Sequence, residues 1–327
     1  MIPFSILDLS PVNDNETVGD ALRNSLRLAQ KAEECGFNRF WLAEHHNMPG
    51  IASSATSVAI GYIAGGTSKI RVGSGGVMLP NHSPLIIAEQ FGTLAGLYPD
   101  RIDLGLGRAP GTDMNTARAL RRDLMASAEN FPQDVQELQF YFREPVEGQQ
   151  VVAVPAAGEK VDVWLLGSSL YSAQLAAYLG LPFAFASHFA PNDLLNALAV
   201  YRSSFKPSVY LEKPYAIACV NVVAAETDDL ARHHFSSQQM ASVQLFRNRP
   251  GKLQPPLDDL DRHISPEERM NVDHKLMYSM VGSQKTVAHG ISRFVELTGV
   301  DELMMTSRVY DVAARLESVE LVSRAFG

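Results

Sequence analysis

The chain has 327 residues, with 28 Lys+Arg against 36 Asp+Glu, a formal net charge of −8 and 46% hydrophobic residues. That length and apolar content exclude a disordered chain, a collagen and a small disulfide scaffold, and the acidic balance argues against a dedicated nucleic-acid binder, which carries a basic face. Two cysteines, Cys35 and Cys219, are too few for a disulfide framework or a multi-cysteine metal site, and no apolar run reaches the roughly 18 residues that span a bilayer.

In chain order, strand-like runs open near Phe4 (FSILDLS), Phe37 (FNRFWLAEH), Lys69 (KIRVGSGGVML) and Arg101 (RIDLGLG), at spacings of 33, 32 and 32 residues. Helical patterns lie between them. Thr17 caps the first, with Asp20 three residues on; Val18, Leu22, Leu26, Ala29 and Ala32 mark its face, and Gly36 stops it. Ser83-Pro84 opens the third helix and Pro99 ends it. A strand plus a helix at this period is the product of successive βα units, and nearly continuous apolar runs fit parallel strands buried on both faces.

The second half repeats the pattern with insertions. A polar, Arg-rich segment (GTDMNTARALRRD) precedes a helix near Asn130 to Phe142, and residues 144–160 form a surface loop or hairpin. Strands resume at 161–167, 182–188, 214–225 and 302–307, with helices from Ser172, Asp193 and Ser283. Eight strands and at least eight helices make a closed (β/α)8 barrel, a TIM barrel with insertions occupying 1–327 as one domain; an open doubly wound sheet is the alternative. The proline-rich stretch 247–268 is either a disordered insertion or, in a closed barrel, a lid. The N-terminus lacks the basic region of a signal peptide, so a cytoplasmic protein is expected.

Ligands of such a barrel sit at the carboxyl ends of its strands. Gly105-Leu-Gly107-Arg-Ala-Pro-Gly111 is a failed dinucleotide fingerprint, because its third glycine comes one residue late and Pro110 intrudes. Glu44-His45-His46 closes the second strand. If extended geometry continues, at most one of the two histidines faces the mouth, which suits an acid/base or hydrogen-bonding histidine and not a two-histidine metal site. No metal is expected. Gly73-Ser-Gly75-Gly76 interrupts the third strand, as glycine does where a strand bends or a ligand approaches the backbone. Ser168, Ser169 and Ser172 gather at the start of a helix, where hydroxyls and free N–H groups suit an anion; ordinary capping by Ser169 is the alternative. Arg108 and Arg118 flank the preceding loop and could pair with a phosphate. Arg121 and Arg122 read as solvated charge, Phe40 and Trp41 as core, and His188, closing the sixth strand, as a further mouth histidine or a buried one.

Taken together, GFNRFWLAEHH, IRVGSGGVMLPNHSP, RIDLGLGRAPGTD, GSSLYSAQLAA, VGSQKTV and ELMMTS resemble the bacterial luciferase-like, flavin-dependent monooxygenase family nearly end to end. The resemblance implies a TIM barrel, reduced FMN at its mouth, and O2 with a small organic substrate, an aldehyde among the candidates. It also implies a separate flavin reductase as FMNH2 supplier, and a homodimer through helices of the first half. His45 matches the family's catalytic histidine, and Gly75-Gly76 the site of a non-prolyl cis peptide against the flavin. Arg108 matches a strand end near the flavin, Arg118 a phosphate-binding arginine, and Ser168, Ser169 and Ser172 the phosphate loop. Glu44 and His188 complete the expected catalytic set. Two positions depart from the pattern: Gly107 replaces the reactive cysteine of luciferase, and Ser168 replaces a glutamate, so light emission is not expected. Relatives on the same barrel use the deazaflavin F420 for hydride transfer, which makes that cofactor the alternative, and a non-catalytic FMN-binding protein is a third reading.

Overall fold

The computed structural model describes residues 2–109, 114–120 and 129–326. Its first half is the predicted alternation: β1 (Phe4–Asp8), α1 (Val18–Glu34), β2 (Arg39–Leu42), α2 (Thr56–Gly65), β3 (Arg71–Met78), α3 (Pro84–Leu97) and β4 (Ile102–Gly107). The second half continues with α4 (Met114–Leu120), α5 (Phe131–Tyr141), β5 (Asp162–Gly167), α6 (Leu170–Leu179), β6 (Phe183–Phe185), α7 (Leu194–Ser204) and β7 (Ala216–Ala225). It ends with α8 (Asp228–Phe246), α9 (Pro266–Lys275), β8 (Ser279–Ser283), α10 (Gln284–Thr298), β9 (Glu302–Thr306) and α11 (Val312–Phe326).

All strand pairings are parallel, and the order β6-β5-β4-β3-β2-β1-β9-β7 closes through a β6–β7 pair into an eight-stranded barrel. The ninth strand, β8, is absent from the sequence-based count. β7 has ten residues, all buried, and its length serves several neighbours. Residues 216–218 pair with β6, 217–221 with β9, and 221–225 with β8. A five-residue run whose register is set only by the upper half of a distant strand leaves little periodicity to read.

Local chemistry ends the helices where the sequence places those ends. Thr17 and Asp20 form a reciprocal capping box, and Ser83 stands at the N-cap of α3 with Pro84 behind it. The inward face of α1 is rotated from the predicted one. Ala21, Ser25, Leu28, Ala29 and Ala32 are buried, Leu22 and Leu26 flank them, and Val18 is 54% exposed. Small residues let α1 lie close to the barrel, so the contact line follows alanines and not the largest apolar side chains.

The main core fills the layer between barrel and helices. A second cluster, including Leu7, Trp41, Trp164, Ile217 and Met304, fills the barrel interior, with the two indoles edge to face at 5.3 Å. Below it, at the amino ends of the strands, lies a buried ion network. Arg39 donates to Asp103 at 2.9 Å and to Glu302 at 3.1 Å. Arg71 bridges Asp103 and Asp162, each at 2.5 Å, and the Trp41 indole N–H donates to Asp103 at 2.9 Å. The amino end of the barrel is therefore closed by polar groups that satisfy one another, while a large cavity opens at the other end. Residues 144–160 are a loop without strand pairing, and Arg121 and Arg122 lie outside the described residues.

Candidate active site at the barrel mouth

The mouth holds a cavity of about 1450 Å3. Ordinary ligand pockets run to roughly 300–1,000 Å3, so this one has space for a large cofactor and a second molecule. Its floor includes Trp41, Ile217 and Met304, and part of its roof comes from residues 248–257 of the loop after α8. The 247–268 stretch carries one short 3-10 turn, Leu260–Arg262, and then enters α9 at a Ser265–Glu268 capping box.

Gly75 and Gly76 line the cavity and are joined by a cis peptide bond, inside a register shift between β3 and β4. A Cβ on Gly76 would stand 2.6 Å from the Gly105 carbonyl oxygen, a backbone atom that cannot yield. Close approach of β3 to β4 thus demands glycine here whether or not a ligand is bound, and the same pair leaves a bare backbone surface toward the cavity.

β2 ends at Leu42, so Glu44-His45-His46 lies in a loop and not on a strand. The alternation expected for an extended chain does not apply, and His45 and His46 both line the cavity. Glu44 turns away from it. Its Oε1 lies 2.8 Å from Nε2 of both His46 and His82, and its Oε2 accepts the Met78 backbone N–H at 3.2 Å. Burial works to raise the Glu44 pKa, but the hydrogen bonds and charges of the two histidines outweigh it and hold it at about 2. Glu44 is therefore an ionised anchor for the loop. Glu44, His46 and His82 form the one donor set of metal-binding type found among the described residues, and its atoms are already engaged with one another.

His45 and His188 behave differently. Each keeps an Nδ1 atom that is buried without a hydrogen-bond partner. Burial, reinforced by the charge of Arg308, pushes the His45 pKa down to about 4 and that of His188 to about 3. Both rings are neutral near pH 7 and offer one donor and one acceptor. His188 lies beyond the three-residue β6, in the turn that follows it.

At the β4–β5 side, Ser168, Ser169, Ser172 and Arg108 all line the cavity. Ser169 is the N-cap of α6, yet its side chain makes no capping bond, so ordinary capping does not account for it. The Arg108 guanidinium stacks over the Tyr171 ring at 4.1 Å, which holds it beside this helix terminus. Arg118, on the short α4, is exposed and is not among the cavity-lining residues; Asn115 of the same helix is. The residues present suit a phosphate-bearing group: a free helix N-terminus, three hydroxyls and a fixed guanidinium.

Arg308, Lys275, Asn221 and Gln238 also line the cavity, and sequence reading singles out none of them. Arg308 follows β9 and matches the general signal of a charge just past a strand end. Lys275 ends α9, and nothing in its local sequence distinguishes it from a helix-terminal lysine on the surface.

A family model described as luciferase-like monooxygenase matches residues 2–302. A protein of Escherichia coli strain K12 described as a luciferase-like monooxygenase is 55% identical over 320 residues, covering 98% of this chain and 96% of its own. The solved structure of apo-MsnO8 matches with a TM-score of 0.93 at 34% identity, covering 100% of this chain and 98% of that one. The oxygenating constituent of 3,6-diketocamphane monooxygenase of Pseudomonas putida, solved with FMN, matches with a TM-score of 0.73 over 99% of this chain and 97% of that one. At 18% identity it shows the fold alone.

Proposed function

The chain belongs to the luciferase-like monooxygenase family, and from that premise we propose that it is an FMN-dependent monooxygenase acting on a small organic substrate. The observation that carries this reading is the uncapped start of α6, with Ser168, Ser169, Ser172 and Arg108 turned to a cavity too large for one small substrate. These residues would hold the phosphate, with the Gly75-Gly76 backbone beside the ring system. Reduced FMN, when bound, supplies the two electrons that let one atom of O2 enter the substrate while the other leaves as water.

The chain's own residues have three tasks. The apolar floor and the 248–257 roof exclude water, which would otherwise divert the activated oxygen. The 247–268 segment acts as the lid that admits and releases ligands. His45 and His188, neutral at working pH, each present a ring nitrogen to the reacting region and can accept or donate one proton there. Glu44 positions the His46 loop from behind and is not itself in contact with ligand.

A separate reductase would deliver FMNH2, and the two free cysteines fit a reducing, cytoplasmic setting. No helix among the described residues is long and apolar enough to cross a membrane. A homodimer is favoured by α2 and α3, which leave Val58 (73% exposed), Tyr62, Ile86 and Leu97 (65% exposed) on the outside. A Val58→Asp variant is expected to sediment as a monomer where the parent sediments as a dimer.

The test is anaerobic titration with reduced FMN and, in parallel, reduced F420, followed by mixing with oxygen. Tight FMN binding with oxygen uptake is the expected result, and F420 binding in its place would overturn the proposal. His45→Ala should bind FMN normally and lose turnover; unchanged turnover would remove the role assigned to His45.

A further inference from the structure

The cavity's charge is one-sided. Among the described residues lining it there is no aspartate or glutamate, while five are cationic: Arg108, Arg249, Lys252, Lys275 and Arg308. This occurs in a protein whose formal net charge is −8. Arg249 and Lys252 are exposed on the roof loop, where water screens them. The other three make two separate poles. Arg108 stands past β4 beside the start of α6, and Arg308 stands past β9 with Lys275 nearby at the end of α9. In the closed order β1-β2-β3-β4-β5-β6-β7-β9, the strands β4 and β9 are four places apart and face each other across the barrel.

One phosphate accounts for the first pole only. At the second, neither Arg308 nor Lys275 forms an ion pair or side-chain hydrogen bond among the described residues. The carboxylate whose charge favours the cationic Arg308 is Asp8; its Oδ1 accepts from Arg315 at 2.7 Å, and its buried Oδ2 has no hydrogen-bond partner, so it acts on Arg308 through space and not by a bond. Arg308 also raises the cost of protonating Lys275, His45 and His188, so the four groups share one positive field.

The backbone that carries Arg308 is held in place. The Arg308 backbone N–H donates to Gln238 Oε1 at 3.0 Å, and Gln238 Nε2 donates to Asn221 Oδ1. Asn221 Nδ2 in turn donates to the His188 carbonyl at 2.9 Å and to Ser279 Oγ at 3.1 Å. This chain of bonds ties β7, α8, β8 and the turns after β6 and β9 into one rigid wall. Around it the lining is apolar, with Phe189, Cys219, Met240, Leu276 and Met304. Arg308 has no ion pair or side-chain hydrogen bond among the described residues, and Lys275 has only the Phe246 ring, 5.1 Å from its Nζ; two partly desolvated cations so placed beside an apolar wall are unfavourable unless an anion completes them.

We propose that Arg308 and Lys275 form a second anion subsite that receives the carboxylate or sulfonate head of an apolar organic acid, the substrate class of this enzyme. The proposal rests on the cofactor reading only in taking the Arg108 pole as the phosphate site. A guanidinium and an ammonium converging on one oxyanion supply directional and point-charge contacts together. The apolar body then lies along Met304 and Leu276, toward His45 and His188.

The experiment is calorimetric titration of the whole ligand-free protein with octanoate, heptanesulfonate and the neutral octanamide, with FMN titrated separately. Either anion should bind at least about tenfold tighter than octanamide. Arg308→Gln and Lys275→Gln should each erase that preference while changing FMN affinity less than about twofold, and Arg308→Lys should retain part of it. Circular dichroism and melting curves establish that the variants fold; if Arg308→Gln does not, Lys275→Gln, at a helix end, carries the test. Equal binding of octanoate and octanamide overturns the proposal. So does a preference that survives both substitutions, or one lost only in Arg108→Gln, which would place the anion at the first pole. Anion preference at Arg308 with no uptake of FMN in any redox state would instead defeat the cofactor reading and leave the subsite standing.

Discussion

At the amino ends of the strands, Arg39 and Arg71 meet Asp103, Asp162 and Glu302 in a closed set of ion pairs. At the carboxyl ends of the same strands, Arg308 and Lys275 face a cavity whose described lining holds no carboxylate, and His45 and His188 keep unpaired ring nitrogens. Burial weakens a charge in both places, and the outcome differs because of the neighbours. Asp103 and Glu302 outweigh the burial of Arg39 and hold its pKa above the ordinary value. Burial and Arg315 together bring that of Arg308 down to about 10, and burial and Arg308 bring that of Lys275 down to about 8. One end of the barrel is complete without a ligand, whereas the other is built with its partners missing. Unsatisfied groups persist where function needs them, at a cost in stability.

The contrast is broken most directly at the floor. Asp103→Ala leaves two buried guanidinium groups facing each other, and we expect a loss of about 3–5 kcal/mol in urea unfolding. Because the Trp41 indole that donates to Asp103 also lines the cavity, FMN affinity measured on the protein that remains folded should weaken modestly beside the loss in stability.

The pH dependence of stability sharpens the comparison from the other end. His45 and His188 have folded pKa values of about 4 and about 3, below the ordinary 6.5. As pH falls below about 6.5 the unfolded chain takes up protons that these rings refuse in the folded protein, so stability declines between about pH 6.5 and pH 3. Glu44, held at about 2 against an ordinary 4.5, adds to the decline below about pH 4.5, where its anchoring is progressively lost. Denaturation midpoints taken from pH 7 to pH 5 should flatten in a His45→Gln, His188→Gln double variant; an unchanged slope would show that other groups carry it.

A smaller effect of opposite sign is expected at the second cationic pole. Arg308→Gln removes a desolvated charge that has no ion pair or side-chain hydrogen bond among the described residues and only the field of Asp8 in its favour, so unfolding should cost about 1 kcal/mol more and not less. A loss of comparable size would mean that Arg308 is already satisfied. The smallest effect separates two helix starts. Thr17→Ala, which breaks a formed capping box, should cost about 1 kcal/mol. Ser169→Ala should change stability by no more than about 0.5 kcal/mol, since its hydroxyl caps nothing, while weakening FMN binding.

Much of this architecture is written locally. The Thr17–Asp20 box, Ser83-Pro84 and Gly36 act through neighbours a few residues away and appear in the structure where the sequence places them, and the strands expected near Phe37, Lys69 and Arg101 begin one or two residues later, at Arg39, Arg71 and Ile102. His45, His188, Arg108 and the three serines line the cavity because each follows a strand end, and the barrel brings all such ends to one mouth, whereas Gly75 and Gly76 lie inside β3 and were marked by the glycine run itself. Arg118 follows the same rule of proximity in sequence and does not reach the cavity wall.

Other features depend on closure. Glu302 meets Arg39 across 263 residues, and in isolation KIRVG, NRFW and RIDL look like strands with a charged start. Lys275 faces the same cavity as Arg308 only because α9 packs on α8 and β8 pairs with the upper half of β7. The sequence by itself determined most of the strands and helices and which turns face the open end, since hydrogen bonding and side-chain period within a segment settle those, and it missed β8, whose register is set by a distant strand. Only the tertiary structure decided which charges find partners and which are left facing the cavity, because pairing is a matter of distance across the closed barrel and not of spacing along the chain.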